Sequence, residues 1–181
     1  GIFVACALQR AGVRVCVVER GEVRGRAQEW NLNPDELRPL VTEGVVTAEE
    51  VDAAIHSRWP KSRVGVEGAH AIQFEASALN AGISPADLVA AARARFEAAG
   101  GTIIERAPLQ AVEVYSDAAQ VKLQGGQTIR TRLVIDAMGA ASPIVAQARE
   151  GAPPDAACLV VGTMASGFPK AANQRGGDYL Y

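Results

Sequence analysis

The order of apolar and polar positions divides the chain into helices, strands and turns before any chemistry is considered. Residues 2–10 form an alanine-rich helical run followed by Gly12, and residues 13–18 are an apolar strand ending at the acid Glu19. Asn33-Pro34-Asp35-Glu36 supplies an N-cap, a proline at the first helical position and a capping-box acid. Thr47-Ala48-Glu49-Glu50 repeats the capping box, and Gly44 is placed to end the first helix. Residues 34–57 therefore read as a helical hairpin that interrupts a strand-helix rhythm. Residues 58–83 carry no strong period and read as loops, with one short strand near residues 70–74.

Ser84-Pro85-Ala86-Asp87 opens a further helix reaching about Ala99, with Leu88, Val89, Ala92 and Phe96 on one face. Gly100-Gly101 closes it, and Thr102 begins a strand. Three alternating runs follow, at residues 109–115, 120–123 and 128–132, with turn signals at Ser116-Asp117 and Gly125-Gly126 between them. That spacing predicts an antiparallel meander. The last run continues into Leu133-Val134-Ile135 without alternation, which predicts a strand entering a sheet buried on both faces. It ends at Asp136-Ala137-Met138-Gly139, and Ser142-Pro143 restarts a helix. Residues 151–156 contain two prolines and mark a boundary. Beyond it, residues 158–161 read as a strand, and Tyr179 and Tyr181 as the start of another.

Composition narrows the class rather than the chemistry. The 181 residues are 49% apolar and 21% charged, ordinary for a globular chain of one domain, or of one domain and part of a second. A net charge of -2 gives no argument for nucleic acid or an anionic membrane surface. No apolar run approaches the roughly 20 residues that cross a bilayer, and no cleavable signal is visible. Cys6, Cys16 and Cys158 each sit in an apolar run, with no C-x-x-C and no histidine at metal spacing. They read as buried, reduced cysteines of a cytoplasmic protein, and no metal site is expected. His56 and His70 read as surface or interface histidines.

The candidate chemistry lies at the amino end. In a dinucleotide-binding unit the last glycine of G-x-G-x-x-G opens a helix, and a carboxylate about 20 residues on binds a ribose. Gly1 and Glu19 fit the second half of that rule. The glycine lets a pyrophosphate approach the helix N-terminus, whose N–H groups and partial positive charge favour an anion. Glu19 would accept from two ribose hydroxyls and disfavour a 2′-phosphate, which points to the adenosine of FAD or NAD. The first strand and the first two glycines of the fingerprint would precede Gly1, so the chain reads as a fragment that begins inside its own cofactor site. The same half-motif occurs in methyltransferases and in structural βαβ units, and those readings stay open at this point. Arg20 follows Glu19 and is placed to approach phosphate or adenine, while Arg24 and Arg26 read as a solvated loop. Trp30 and Trp59 read as anchors of the inserted hairpin.

The element order ending in Asp136-x-x-Gly139 resembles the flavoprotein group that includes geranylgeranyl reductases, lycopene cyclases and aromatic hydroxylases. Gly1…Gly12…Val15-x-Val17-x-Glu19-Arg20, the helix-to-strand stretch 87–104, and Leu133-Val134-Ile135-Asp136-Ala137-Met138-Gly139-Ala140-Ala141-Ser142 carry the resemblance, over roughly residues 1–145. It is nearest the geranylgeranyl reductase and lycopene cyclase branch. The resemblance implies an α/β, Rossmann-like FAD-binding domain over residues 1–150, with an antiparallel β-meander and a helical insertion at about 30–58, truncated at both ends. Residues 151–181 would begin a substrate domain. It implies FAD bound by Gly1, Glu19, Arg20, Asp136 and Gly139, with the Asp136–Gly139 turn against the ribityl and pyrophosphate part. It further implies a flavin-dependent oxidoreductase acting on a small, apolar, polyprenyl-like substrate, with NAD(P)H as the candidate reductant. Two departures stand out. Met138-Gly139 replaces the Asp-Gly pair of many members, and Ser84-Pro85 stands where many have an arginine. No residue stands out as a general acid or base. A methyltransferase and a noncatalytic nucleotide-binding module are the competing readings; the meander before Asp136 argues against the first.

Overall fold

The computed structural model of the chain describes residues 1–59, 61–65, 72–75, 79–153, 156, 167, 169 and 177–180. They divide into two compact units, Gly1–Val23 with Phe96–Val160, and Arg24–Arg95 with Val161–Tyr181. The strand read at 158–161, Cys158 and His70 lie outside the described residues.

The first unit opens with helix α1 (Ile2–Arg10), which buries Ile2, Ala5 and Cys6. Gly12 takes a φ of 86°, and the Gly12 and Val13 amides donate to the carbonyls of Gln9 and Leu8 at 3.0 and 3.0 Å. This is the left-handed reversal that a glycine after a helix permits. Strand β1 (Cys16–Val18) pairs in parallel with β7 (Thr102–Ile104), Val17 opposite Ile103. Gln9 ties the layers together. Its Oε1 accepts the Val15 N–H at 2.9 Å, and its Nε2 donates to the Ala99 carbonyl at 2.9 Å. Strands β8 (Leu109–Val114), β9 (Ala119–Leu123) and β10 (Thr128–Thr131) form the antiparallel meander in the order β10-β9-β8.

Leu133-Val134-Ile135 departs from expectation. These residues form no strand, and Leu133 and Ile135 are 68% and 53% exposed. A strand exists through its ladder, and among the described residues none lies alongside them to complete one. An apolar run alone does not supply the missing hydrogen bonds. The chain instead runs without regular structure into a 3₁₀ turn (Gly139–Ala141) and helix α5 (Pro143–Ala148).

In the second unit, β2 (Trp30–Leu32), β6 (Ala81–Ile83) and β3 (Ile55–Arg58) form an antiparallel sheet. Strands β4 (Lys61–Gly65) and β5 (Ile72–Glu75) pair with β11 (Gly177–Leu180) in a second sheet, with β11 parallel to β4. Both capping boxes form. Asn33 accepts the Asp35 amide at 3.0 Å while Glu36 accepts the Asn33 amide at 2.8 Å. Thr47 accepts from Glu50 at 3.1 Å, and Glu50 from Thr47 at 2.7 Å. They start a 3₁₀ turn (Pro34–Leu37), leading into α2 (Arg38–Thr42), and α3 (Ala48–Ala54). The second helix stops three residues short of the expected end at 57, because Ile55 leaves helical geometry and pairs with Ile83. Helix α4 (Pro85–Ala98) starts behind Ser84 as expected, with Leu88 and Ala92 wholly buried.

Candidate functional site

Open α/β sheets bind ligands beyond the carboxyl ends of parallel strands, and in the first unit several hydrogen bonds tie the chain together there. Past β1 the Glu19 amide donates to the Ile104 carbonyl at 2.9 Å, and the Glu19 carbonyl accepts the Ala107 amide at 3.0 Å. Arg106 is held at a φ of 54°, its amide donating to the Gly21 carbonyl at 2.8 Å and its guanidinium to Glu22 at 2.6 Å. Glu105 accepts the Val23 amide at 2.7 Å. Holding a non-glycine residue in the left-handed region costs about 1–2 kcal/mol, and this set of bonds keeps Arg106 there.

The loop fixes the Glu19 carboxylate. One oxygen accepts the Gly21 amide at 2.8 Å, and the half-buried side chain makes no other hydrogen bond among the described residues. The second oxygen is therefore available to a hydroxyl donor. Arg20 is exposed and its guanidinium makes no bond among the described residues. Glu105 and Arg106 were not singled out by sequence reasoning. The available signal was their place at the end of β7, matching Glu19-Arg20 at the end of β1.

The second cluster forms around Gly1. Among the described residues no side chain caps α1, and the Ala5 amide donates to the Gly1 carbonyl at 3.1 Å. The start of this nine-residue helix carries a partial positive charge. A Cβ placed on Gly1 would lie 3.5 Å from the Ala137 Cβ, so the helix start and the Asp136–Gly139 turn are neighbours despite their separation in sequence. Gly139 has a φ of 66° and open space where a Cβ would be. Asp136 accepts the Met138 amide at 2.9 Å through Oδ1 and the Ser142 hydroxyl through Oδ2. The Ser142 hydroxyl, followed by the Met138 amide, holds the Asp136 carboxyl below its ordinary range. Ser142 in turn accepts the Ile144 and Val145 amides at 3.1 and 3.1 Å, capping α5.

The five residues singled out in the sequence thus fall in one unit, Gly1 beside the Asp136–Gly139 turn and Glu19-Arg20 at the end of β1. No described hydrogen bond joins the two groups. The cysteines divide: Cys6 is buried, whereas Cys16 is exposed, against expectation; among the described residues β1 pairs with β7 alone. His56 is exposed, with Nε2 3.1 Å from Asp87. Among the described residues no three metal-ligating side chains cluster, and no helix is long and apolar enough to cross a membrane. Chemically, the unit offers a helix start with its partial positive charge, a carboxylate open to a diol and a turn whose backbone is accessible at a glycine.

The family described as lycopene cyclase protein matches residues 1–161. Halogenase PltM in complex with phloroglucinol and FAD is similar with a TM-score of 0.66 and 15% identity, covering 82% of this chain and 34% of its own. A mutant of P. aeruginosa PqsL gives 0.65 and 21% identity over 93% of this chain and 45% of its own. The Diels-Alderase PyrE3 gives 0.60 and 18% over 83% and 32%. The chain therefore spans less than half the length of these proteins, and at such identities the likeness is one of fold. No protein with a curated description matches the chain.

Proposed function

The chain belongs to the lycopene cyclase protein family, and we propose that it binds FAD within a flavin-dependent oxidoreductase acting on an apolar, polyprenyl-like substrate. The observation that supports this reading is the approach of Gly1 to Ala137, which brings together two segments read from the sequence as FAD contacts. The residues present fit the group. The partial positive charge at the start of α1 suits the pyrophosphate, and the open oxygen of Glu19 suits the adenosine ribose. Arg20 is free to approach the phosphates or the adenine, and the Asp136–Gly139 turn supplies the second contact. A solved neighbour of the same fold, PltM, contains FAD.

When bound, FAD would supply the electron chemistry, with NAD(P)H as the candidate reductant. The residues of this chain bind and orient; none is placed as a general acid or base. The geranylgeranyl reductase-like branch is the reading for an oxidoreductase. A second reading, cyclisation with no net redox change, is favoured by the family's description and by the Diels-Alderase among the neighbours. The test is the visible absorbance of the full-length protein purified from cells. Oxidised-flavin bands that bleach on anaerobic NAD(P)H addition support the oxidoreductase. Bands unaffected by either nicotinamide favour the second reading. A colourless protein that takes up no added FAD refutes both.

A further inference from the structure

The Asp136–Gly139 turn contains a device that its sequence motif does not disclose. Each carboxylate oxygen of Asp136 already accepts a hydrogen bond from its own segment, Oδ1 from the Met138 amide at 2.9 Å and Oδ2 from the Ser142 hydroxyl. Ser142 is 2% exposed, so it presents nothing to a ligand. Its hydroxyl has one proton to donate and two lone pairs. The proton goes to Asp136, and the lone pairs go to the Ile144 and Val145 amides at 3.1 and 3.1 Å. The Ser142 amide closes the loop by donating to the Gly139 carbonyl at 3.0 Å. The segment from Asp136 to Val145 is thus held by one buried hydroxyl, and it includes Ala137, the residue beside Gly1.

We propose that Asp136 and Ser142 are a positioning pair for the cofactor: Asp136 acts through Ser142, and the backbone of residues 137–139 makes the contact. This rests on the FAD reading above. Removing either partner then removes the same thing, the fixed course of the turn. Ser142→Ala deletes the hydroxyl, Ser142→Thr keeps it, and Asp136→Asn replaces an accepting oxygen with an amide nitrogen that cannot accept.

The experiment is FAD titration of the full-length apoprotein and its variants, at a temperature where melting curves show all of them folded. Ser142→Ala and Asp136→Asn should each weaken FAD roughly tenfold, the size expected for losing one charge-assisted hydrogen bond. Ser142→Thr should restore affinity to within about twofold, and the double variant should be no weaker than the weaker single one, since both break one linkage. An unchanged affinity in Ser142→Ala, even with a lowered Tm, would make Ser142 merely structural and overturn the proposal. So would multiplicative losses in the double variant, because Asp136 would then touch FAD directly. In both cases wild-type binding still stands, so the FAD reading survives. A wild type that takes up no FAD overturns that reading and this one with it.

Discussion

Gly25 gives the sharpest test of the fold, because the space for a side chain there is occupied by backbone. A Cβ on Gly25 would overlap the Pro85 carbonyl and lie 2.5 Å from the Ala86 nitrogen, in the first turn of α4. Ordinary contact begins near 3.4 Å, so accommodating even one methyl requires that turn or the 24–26 segment to move by about an ångström. Neither can yield as a flexible side chain would. Helix α4 is anchored further along by Leu88 and Ala92, both wholly buried. Overpacking of this kind costs about 1–3 kcal/mol, and a backbone obstacle places Gly25→Ala at the upper end. The variant recovers roughly 0.4–1 kcal/mol through a less flexible unfolded chain. The net loss is about 2–2.6 kcal/mol, or a Tm fall of roughly 4–10 °C at this chain length. Thermal unfolding followed by far-ultraviolet circular dichroism measures it. Gly21→Ala is the control, since its Cβ would meet only Glu19 Oε1, at an ordinary 3.7 Å. A Gly25→Ala protein melting within about 1 °C of the parent would refute the close approach of Gly25 to α4.

Two further outcomes follow from particular side chains. Arg95 donates to both oxygens of Glu50 at 3.1 Å, and this hydrogen bonding holds the Glu50 carboxyl below its ordinary range. A depressed carboxylate stabilises the fold above its unfolded pKa, and the contribution fades as pH falls through the folded value. Arg95→Ala should therefore cost about 1 kcal/mol at neutral pH, a figure kept low because the pair is partly exposed, and progressively less below about pH 4. Urea unfolding at neutral and acid pH checks this, and a penalty that does not shrink in acid would contradict the pairing. Gly139→Ala meets no neighbouring atom but must hold a φ of 66°, so it should lose roughly 1–2 kcal/mol by strain alone. Equal stability in a thermal melt would argue against that left-handed turn.

What the sequence disclosed were its local signals. Helices α1 and α4, both capping boxes and the three meander strands stand close to where periodicity and cap chemistry predict, because each is decided within a few neighbouring residues. Strands β2 to β6 were not legible except near β5: at three to five residues they are too short to show a period, and they exist through pairing. The same reason explains Leu133-Val134-Ile135, where a strong apolar run forms no strand because no partner strand lies alongside it among the described residues. In the site, Gly1, Glu19, Asp136 and Gly139 could be named because their motifs are residue-specific. The bonds that hold them could not. Gln9 bridging to Ala99 and the left-handed Arg106 bonded to Gly21 and Glu22 are pairings between distant segments, and Ser142 holding Asp136 depends on the course of the turn between them. No spacing rule predicts them.

The central claim, that this chain holds FAD with Glu19 at its adenosine ribose, is tested most directly by titrating the full-length apoprotein and Glu19→Ala with FAD and with FMN. FMN carries the same isoalloxazine but no adenosine. Glu19→Ala should weaken FAD by about tenfold or more while leaving FMN affinity unchanged, since hydrogen bonds to a carboxylate are worth about 1.5–3 kcal/mol. Equal FAD affinity in the variant and the parent would contradict the account.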